Sequence, residues 1–70
     1  MATFSLGKYP HVELCDLLKL EGWSESGAQA KIFIAEGLVQ VDGVTEIRKR
    51  CKIVAGQTVT FDGQSITVTA

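Results

Sequence analysis

The spacing of the apolar residues changes along the chain and divides it into a helical part and a strand part. Leu14, Leu17 and Leu18 follow i, i+3, i+4 spacing, which places them on one face of a helix. The pattern predicts a helix over residues 11–20. Gly22 follows at the point where a residue in the left-handed conformation often ends a helix.

A second helix is predicted directly after the first. Ser26 and Gln29 have the spacing of a capping box, in which two side chains satisfy unpaired backbone N–H groups at a helix start. Ala30 and Ile34 then share one apolar face, and Gly37 is expected to end the helix.

After Gly37 the apolar residues recur at every second position, as in a strand. Val39 and Val41 lead into Asp42-Gly43, which predicts a type I′ hairpin turn because both turn positions need positive φ. Residues 44–47 form the returning segment. Strands follow at 58–61 and 65–69, on either side of a second Asp-Gly turn at residues 62–63. The predicted order is α-α-β-β-β-β, an α+β fold of two N-terminal helices followed by a small antiparallel or mixed sheet.

Length and composition limit the class of protein. Seventy residues predict a single domain over 1–70, and a hydrophobic content of 46% indicates a folded chain rather than a disordered one. No apolar run approaches the roughly 18 residues that a membrane span needs. Residues 1–8 lack the pattern of a signal peptide, so we expect a cytoplasmic protein with no membrane association.

Positive charge is concentrated in one short segment of a chain whose net charge is −1. Four of the seven basic residues are Arg48, Lys49, Arg50 and Lys52, and we call residues 48–52 the basic loop. They are expected to be clustered rather than paired with acidic residues. Such a loop attracts polyanions, and the planar arginine guanidinium suits phosphate groups. Composition alone leaves open RNA, DNA, an acidic protein, or a solvated loop that keeps the domain soluble.

Catalysis and metal binding have little support in the sequence. His11 is the only histidine, and Cys15 lies in an apolar stretch that disfavours its thiolate. One histidine and two distant cysteines match no zinc spacing, so we predict no catalytic residue, no metal and no cofactor. Cys15 and Cys51 are expected to be small buried residues. Trp23 is expected to pack over the helix junction, with stacking on an RNA base as the alternative.

The segment from Ser26 to Gly43 resembles the αL RNA-binding motif, first seen in small-subunit ribosomal protein S4. The residues that match the family pattern are Ser26, Ala30, Ile34, Gly37, Val39, Val41, Asp42 and Gly43. Upstream, Leu14, Leu18 and Gly22 match its first helix, and downstream Gly56-Gln57-Thr58-Val59 resembles its later strand. The motif core covers about residues 11–61. The whole chain is similar to the small stand-alone bacterial members of this family, the YbcJ-like proteins.

The resemblance implies a non-catalytic module that binds structured RNA of the ribosomal or transfer RNA class. The residues implied in RNA binding are Ser26, Gly27, Lys31, Arg48, Lys49, Arg50 and Lys52. It also implies a monomer that associates with the ribosome or with an RNA-modifying enzyme. A protein-interaction module that docks an acidic partner is the alternative.

The chain departs from the family pattern at three places. Gly27 stands where the family has an arginine after the serine, and Glu13 stands where its first helix has another arginine. Gln57 replaces the aspartate after the late glycine. The departures at Gly27 and Glu13 remove positive charge, which shifts the expected RNA affinity onto the basic loop.

Overall fold

The computed structural model describes residues 2–70 and confirms the predicted α+β class. The two helices are α1 (Leu14–Leu20) and α2 (Gly27–Ala35). The strands are β1 (Ala2–Ser5), β2 (Val12–Glu13), β3 (Val39–Val41), β4 (Val44–Thr45), β5 (Lys52–Ile53), β6 (Thr58–Phe61) and β7 (Gln64–Thr69). Two strands therefore precede the helices, whereas the predicted order begins with a helix.

Five strands form one mixed sheet in the order β1-β7-β6-β3-β4. β1 lies parallel to β7, with Ala2 opposite Ile66, and the other neighbours in this sheet are antiparallel. β1 pairs with β7, which lies at the other end of the described chain, so no turn between neighbouring segments indicates this pairing in the sequence. The sequence pattern therefore does not predict this strand.

α1 begins at Leu14 and not at residue 11 as the leucine spacing predicted. Val12 and Glu13 are extended because they pair with Ile53 and Lys52 in the two-stranded sheet of β2 and β5. Pairing with a distant segment therefore overrides the local helical pattern over the first residues of the predicted helix.

The predicted cap at the start of α2 and the predicted glycines after both helices are confirmed. The Ser26 Oγ accepts a hydrogen bond of 3.1 Å from the Gln29 N–H, and the Gln29 Oε1 accepts one of 2.7 Å from the Glu25 N–H. Gly22 (φ 76°) and Gly37 (φ 77°) adopt the left-handed conformation after α1 and α2. In each case the N–H of the glycine and the N–H of the residue after it donate to carbonyls of the last helical turn, in a Schellman motif.

Both predicted hairpin turns have the positive φ values that type I′ requires. Asp42 and Gly43 have φ of 52° and 82°, and Asp62 and Gly63 have φ of 50° and 76°. The Asp42 Oδ1 also accepts a hydrogen bond of 2.9 Å from the Thr58 N–H, which fastens the first turn to β6.

One apolar core joins the helices to the sheet. Its buried members are Leu6, Leu14, Cys15, Leu17, Leu18, Ala30, Ile34, Val39, Val41, Ile53, Val59, Ile66 and Val68. Trp23 packs against this core, with its ring centroid 6.0 Å from that of Phe61 on β6, which stacks on Phe33. Within residues 2–70, neither helix has the length and apolar character needed to cross a bilayer.

Candidate nucleic-acid interface

The backbone of the basic loop lies against the start of α1. The Leu14 N–H donates to the Cys51 carbonyl at 2.9 Å, and the Cys15 N–H donates to the Lys49 carbonyl at 3.2 Å. The first N–H groups of a helix have no partner within the helix, and the Glu13 side chain does not cap them. The loop carbonyls fill this role, so the basic loop has a fixed position relative to α1.

Arg48 has an acidic partner, which contradicts the expectation that the four cations are unpaired. Its Nε and Nη2 each lie 3.0 Å from a carboxylate oxygen of Glu46, in a bidentate arrangement. The Arg48 backbone N–H donates to the same carboxylate at 3.0 Å. The pair is two positions apart in sequence, with one residue, Ile47, between them.

The pairing changes the ionisation of both groups. Hydrogen bonds from the Arg48 side chain and backbone lower the pKa of Glu46 from 4.5 to about 2. The same contact raises the pKa of Arg48. Both side chains are therefore charged at neutral pH, and Glu46 offsets part of the charge that Arg48 brings to the loop.

The other three cations of the basic loop, Lys49, Arg50 and Lys52, are exposed, and Lys52 is also the first residue of β5. Arg48, Arg50 and Lys52 line a shallow pocket of about 410 Å³ together with Cys51. Within residues 2–70, Arg48 and Glu46 form the one salt bridge, although Lys52 stands opposite Glu13 across the two-stranded sheet. The pocket thus presents cations to solvent, which suits an anionic group such as a phosphate.

Cys51 is half-buried, so the expectation that both cysteines are buried is confirmed for Cys15 and wrong for Cys51. Its Sγ lies 3.5 Å from Glu46 Oε1 and 3.6 Å from Arg48 Nη2. Burial raises the pKa of the Cys51 thiol, and the Glu46 carboxylate raises it further. The thiol is therefore protonated at neutral pH, which makes it a poor nucleophile.

The remaining predicted site residues lie on α2, which packs against α1. Ser26 uses its hydroxyl to cap the helix, and Gly27 is the first helical residue. A Cβ added at Gly27 would meet nothing within 4 Å. Lys31 lies one turn further on the same face. Among residues 2–70, no side-chain hydrogen bond or salt bridge joins these three residues to the basic loop.

A larger groove, of about 680 Å³, lies between the N-terminal segment and α1. Its lining includes the exposed side chains of Tyr9 and Leu20. Its charged lining residues are Glu13, Asp16 and Lys19, so the two carboxylates outnumber the single lysine. Size therefore favours this groove, but charge favours the basic loop as the surface that receives phosphate groups.

Metal-ligating side chains approach one another at one place in residues 2–70, where the ligand atoms of Glu13, Cys15 and Asp16 lie within 4.8 Å. Three ligands with one sulfur fall short of the four nitrogen and sulfur ligands that structural zinc sites use. Asp16 is exposed, and exposed acidic groups often lie close together without an ion. The set does not define a metal site.

Glu46 is the residue of this site that the sequence reasoning missed. It stands two positions before Arg48, and an acid so close to a basic cluster was the available signal. The support that the Lys49 and Cys51 carbonyls give to α1 had no such signal, because backbone groups are present at every position.

Comparisons with known proteins agree with this architecture. The family model of the S4 domain matches residues 4–69. YbcJ of Escherichia coli strain K12 and YbcJ of Shigella flexneri are each 81% identical to the chain over 70 residues, covering 100% of both chains.

Two solved structures have a similar fold. The solution structure of Escherichia coli YbcJ, described as revealing an αL motif involved in RNA binding, superposes with a TM-score of 0.77. It is 81% identical and covers 100% of this chain and 89% of that chain. The 30S ribosomal protein S4e of Thermoplasma acidophilum gives a TM-score of 0.62 at 29% identity, covering 83% of this chain and 31% of that one.

Proposed function

The chain belongs to the S4 domain family, and on that premise we propose that it binds structured RNA of the ribosomal or transfer RNA class through its basic loop. The chain itself carries out no reaction on the RNA. The observation that carries the proposal is the set of exposed cations, Lys49, Arg50 and Lys52, on a loop that is fixed to the start of α1.

Phosphate contacts provide most of the affinity in this proposal. Lysine and arginine side chains neutralise backbone phosphates, which gives affinity without reading sequence. A-form helices hide their base edges in a deep groove, so a duplex is recognised mainly by its shape. A loop with a fixed backbone suits this mode, because its cations keep their spacing when the RNA arrives.

The number of contacts sets the expected salt dependence. If three or four phosphates are neutralised, the logarithm of the binding constant falls against the logarithm of salt concentration with a slope of about −2 to −4. Affinity for transfer RNA should then fall about 20- to 250-fold between about 50 and 200 mM salt. Fluorescence anisotropy with labelled transfer RNA and ribosomal RNA fragments measures this slope.

Charge reversal within the loop tests the location of the contacts. The variant Arg50→Glu/Lys52→Glu should weaken binding and reduce the slope by about 2. Lys8→Glu/Lys19→Glu is the matched control, since it changes net charge equally at exposed positions outside the loop. If both variants lose the same affinity, or neither loses any, the basic loop is not the RNA-binding surface.

The proposal extends to the setting of the domain. Residues 1–70 would act as one monomeric domain in the cytoplasm, associated with the ribosome or with an RNA-modifying enzyme. The related proteins give no support to docking of an acidic protein. Copurification that survives nuclease treatment would favour that alternative, and loss of all partners after nuclease treatment would favour RNA.

A further inference from the structure

Glu46 is an acidic residue in direct contact with a surface of otherwise exposed cations. On charge alone, a carboxylate there weakens the attraction of the basic loop for phosphate groups. Its contacts are nevertheless extensive, because it accepts three hydrogen bonds of 3.0 Å from Arg48 and lies 3.5 Å from the Cys51 thiol. Such a set of contacts indicates a role that outweighs the unfavourable charge.

The pair joins a fixed carboxylate to a projecting guanidinium. The Glu46 side chain is 17% exposed and the Arg48 side chain is 75% exposed. The Glu46 backbone N–H donates to the carbonyl of Val39, a fully buried residue of β3, at 3.0 Å. Glu46 is thus attached to the sheet, and Arg48 extends from it into solvent.

The pairing leaves part of the guanidinium free. A guanidinium has five N–H donors, and the Glu46 carboxylate takes the Nε–H and one N–H of Nη2. Both N–H groups of Nη1 have no partner within residues 2–70. Arg48 can therefore donate to a phosphate oxygen while it remains bound to Glu46.

We propose that Glu46 is a positioning residue for RNA binding, which holds Arg48 so that its outer edge meets one phosphate. This inference rests on the proposed function. A carboxylate that fixes an arginine side chain before binding removes much of the ordering that binding would otherwise require. The opposite role, in which Glu46 competes with phosphate for Arg48, predicts the opposite sign for its removal.

Glu46→Gln separates the two roles because it keeps the size of the side chain and removes its charge. An amide has an NH₂ group in place of the second oxygen, so it cannot form the two parallel bonds that the Glu46 carboxylate makes with the Nε and the Nη2 of Arg48. We expect transfer RNA to bind about three- to tenfold more weakly, even though the variant is more positive than the wild type. Tighter binding by Glu46→Gln would overturn the inference. Asp62→Asn, which makes the same charge change on the turn between β6 and β7, controls for net charge.

A second pair of variants tests whether Glu46 acts through Arg48. In an Arg48→Ala background, Glu46→Gln should no longer weaken binding, since the residue that it positions is gone. Arg48→Lys keeps the charge at an exposed position but loses the bidentate geometry, so it should weaken binding as much as Glu46→Gln. Equal losses from Glu46→Gln with and without Arg48, or full affinity in Arg48→Lys, would contradict a positioning role.

The two proposals fail in different ways. If Arg50→Glu/Lys52→Glu binds transfer RNA like its matched control, the proposed function fails. If that variant loses affinity as expected but Glu46→Gln binds more tightly, RNA binding stands and only the role of Glu46 is wrong. Circular dichroism of each variant confirms that the fold is retained.

Discussion

Gly27 offers a direct way to add a phosphate contact to the proposed interface. The S4 family pattern has an arginine at this position, and this chain has the residue with no side chain. Gly27 is the first residue of α2, and Lys31 follows one turn later on the same face. Gly27→Arg should therefore place a new cation beside an existing one.

The structure predicts that this substitution leaves stability nearly unchanged. A Cβ at residue 27 meets nothing within 4 Å, and the backbone there is not left-handed, so neither steric overlap nor strain arises. Arginine has a helix propensity up to about 1 kcal/mol better than glycine. A positive charge in the first turn opposes the helix dipole by about 0.3–1 kcal/mol. The two effects nearly cancel, and urea unfolding should detect a change of less than about 0.5 kcal/mol.

The effect on RNA binding should be larger and should depend on salt. One further neutralised phosphate makes the salt slope steeper by about 0.7 to 0.9, so the gain in affinity shrinks about threefold between about 50 and 200 mM salt. Anisotropy titrations with transfer RNA measure both quantities. Gly27→Ala is the matched control, because it changes helix propensity without adding charge.

A specific result would refute this reasoning. If Gly27→Arg folds normally but has the same salt slope as Gly27→Ala, the start of α2 does not face the RNA. The RNA-binding surface would then be limited to the basic loop, and Ser26, Gly27 and Lys31 would have structural roles only.

Two further predictions concern the stability of the fold. Asp42→Ala should lower the free energy of unfolding by about 2 kcal/mol in urea titrations, because it loses the hydrogen bond to the Thr58 N–H and places alanine at positive φ. For the control Asp42→Asn, the free energy of unfolding should stay within about 0.5 kcal/mol of the wild-type value. Equal losses from both variants would contradict this explanation. The pKa of Glu46 is lower in the folded chain than its value of 4.5 in the unfolded chain, so the ionised carboxylate stabilises the fold at pH values above 4.5. This contribution is lost as the pH falls from 4.5 to about 2. The stability difference between wild type and Glu46→Gln should therefore shrink over that pH range, and a difference that stays constant would show that Glu46 titrates normally.

Features set by neighbouring residues were predictable from the sequence. The Ser26 cap, the glycines after both helices and the two Asp-Gly turns depend on chemistry within a few positions. β1 and the pairing of β2 with β5 depend on partners far along the chain, so no local pattern identified them. Only tertiary pairing moves the start of α1 to Leu14.

The same distinction between local and long-range features applies to the candidate site. Clustering of the cations at residues 48–52 is visible in the sequence, because it depends only on their order. Two features are visible only in the structure: the salt bridge between Arg48 and Glu46, and the hydrogen bonds that the loop carbonyls accept from the first N–H groups of α1. Both depend on the path of a loop without regular secondary structure over residues 46–51, which residue spacing does not define.

The position of bound RNA on the surface tests the central claim most directly. In a titration of the ¹⁵N-labelled chain with transfer RNA, NMR amide shifts should change most at residues 48–52 and at the start of α2 near residues 26–31. The groove lined by Tyr9, Asp16 and Leu20 should change little. Shift changes centred on that groove, with an unaffected basic loop, would contradict the account.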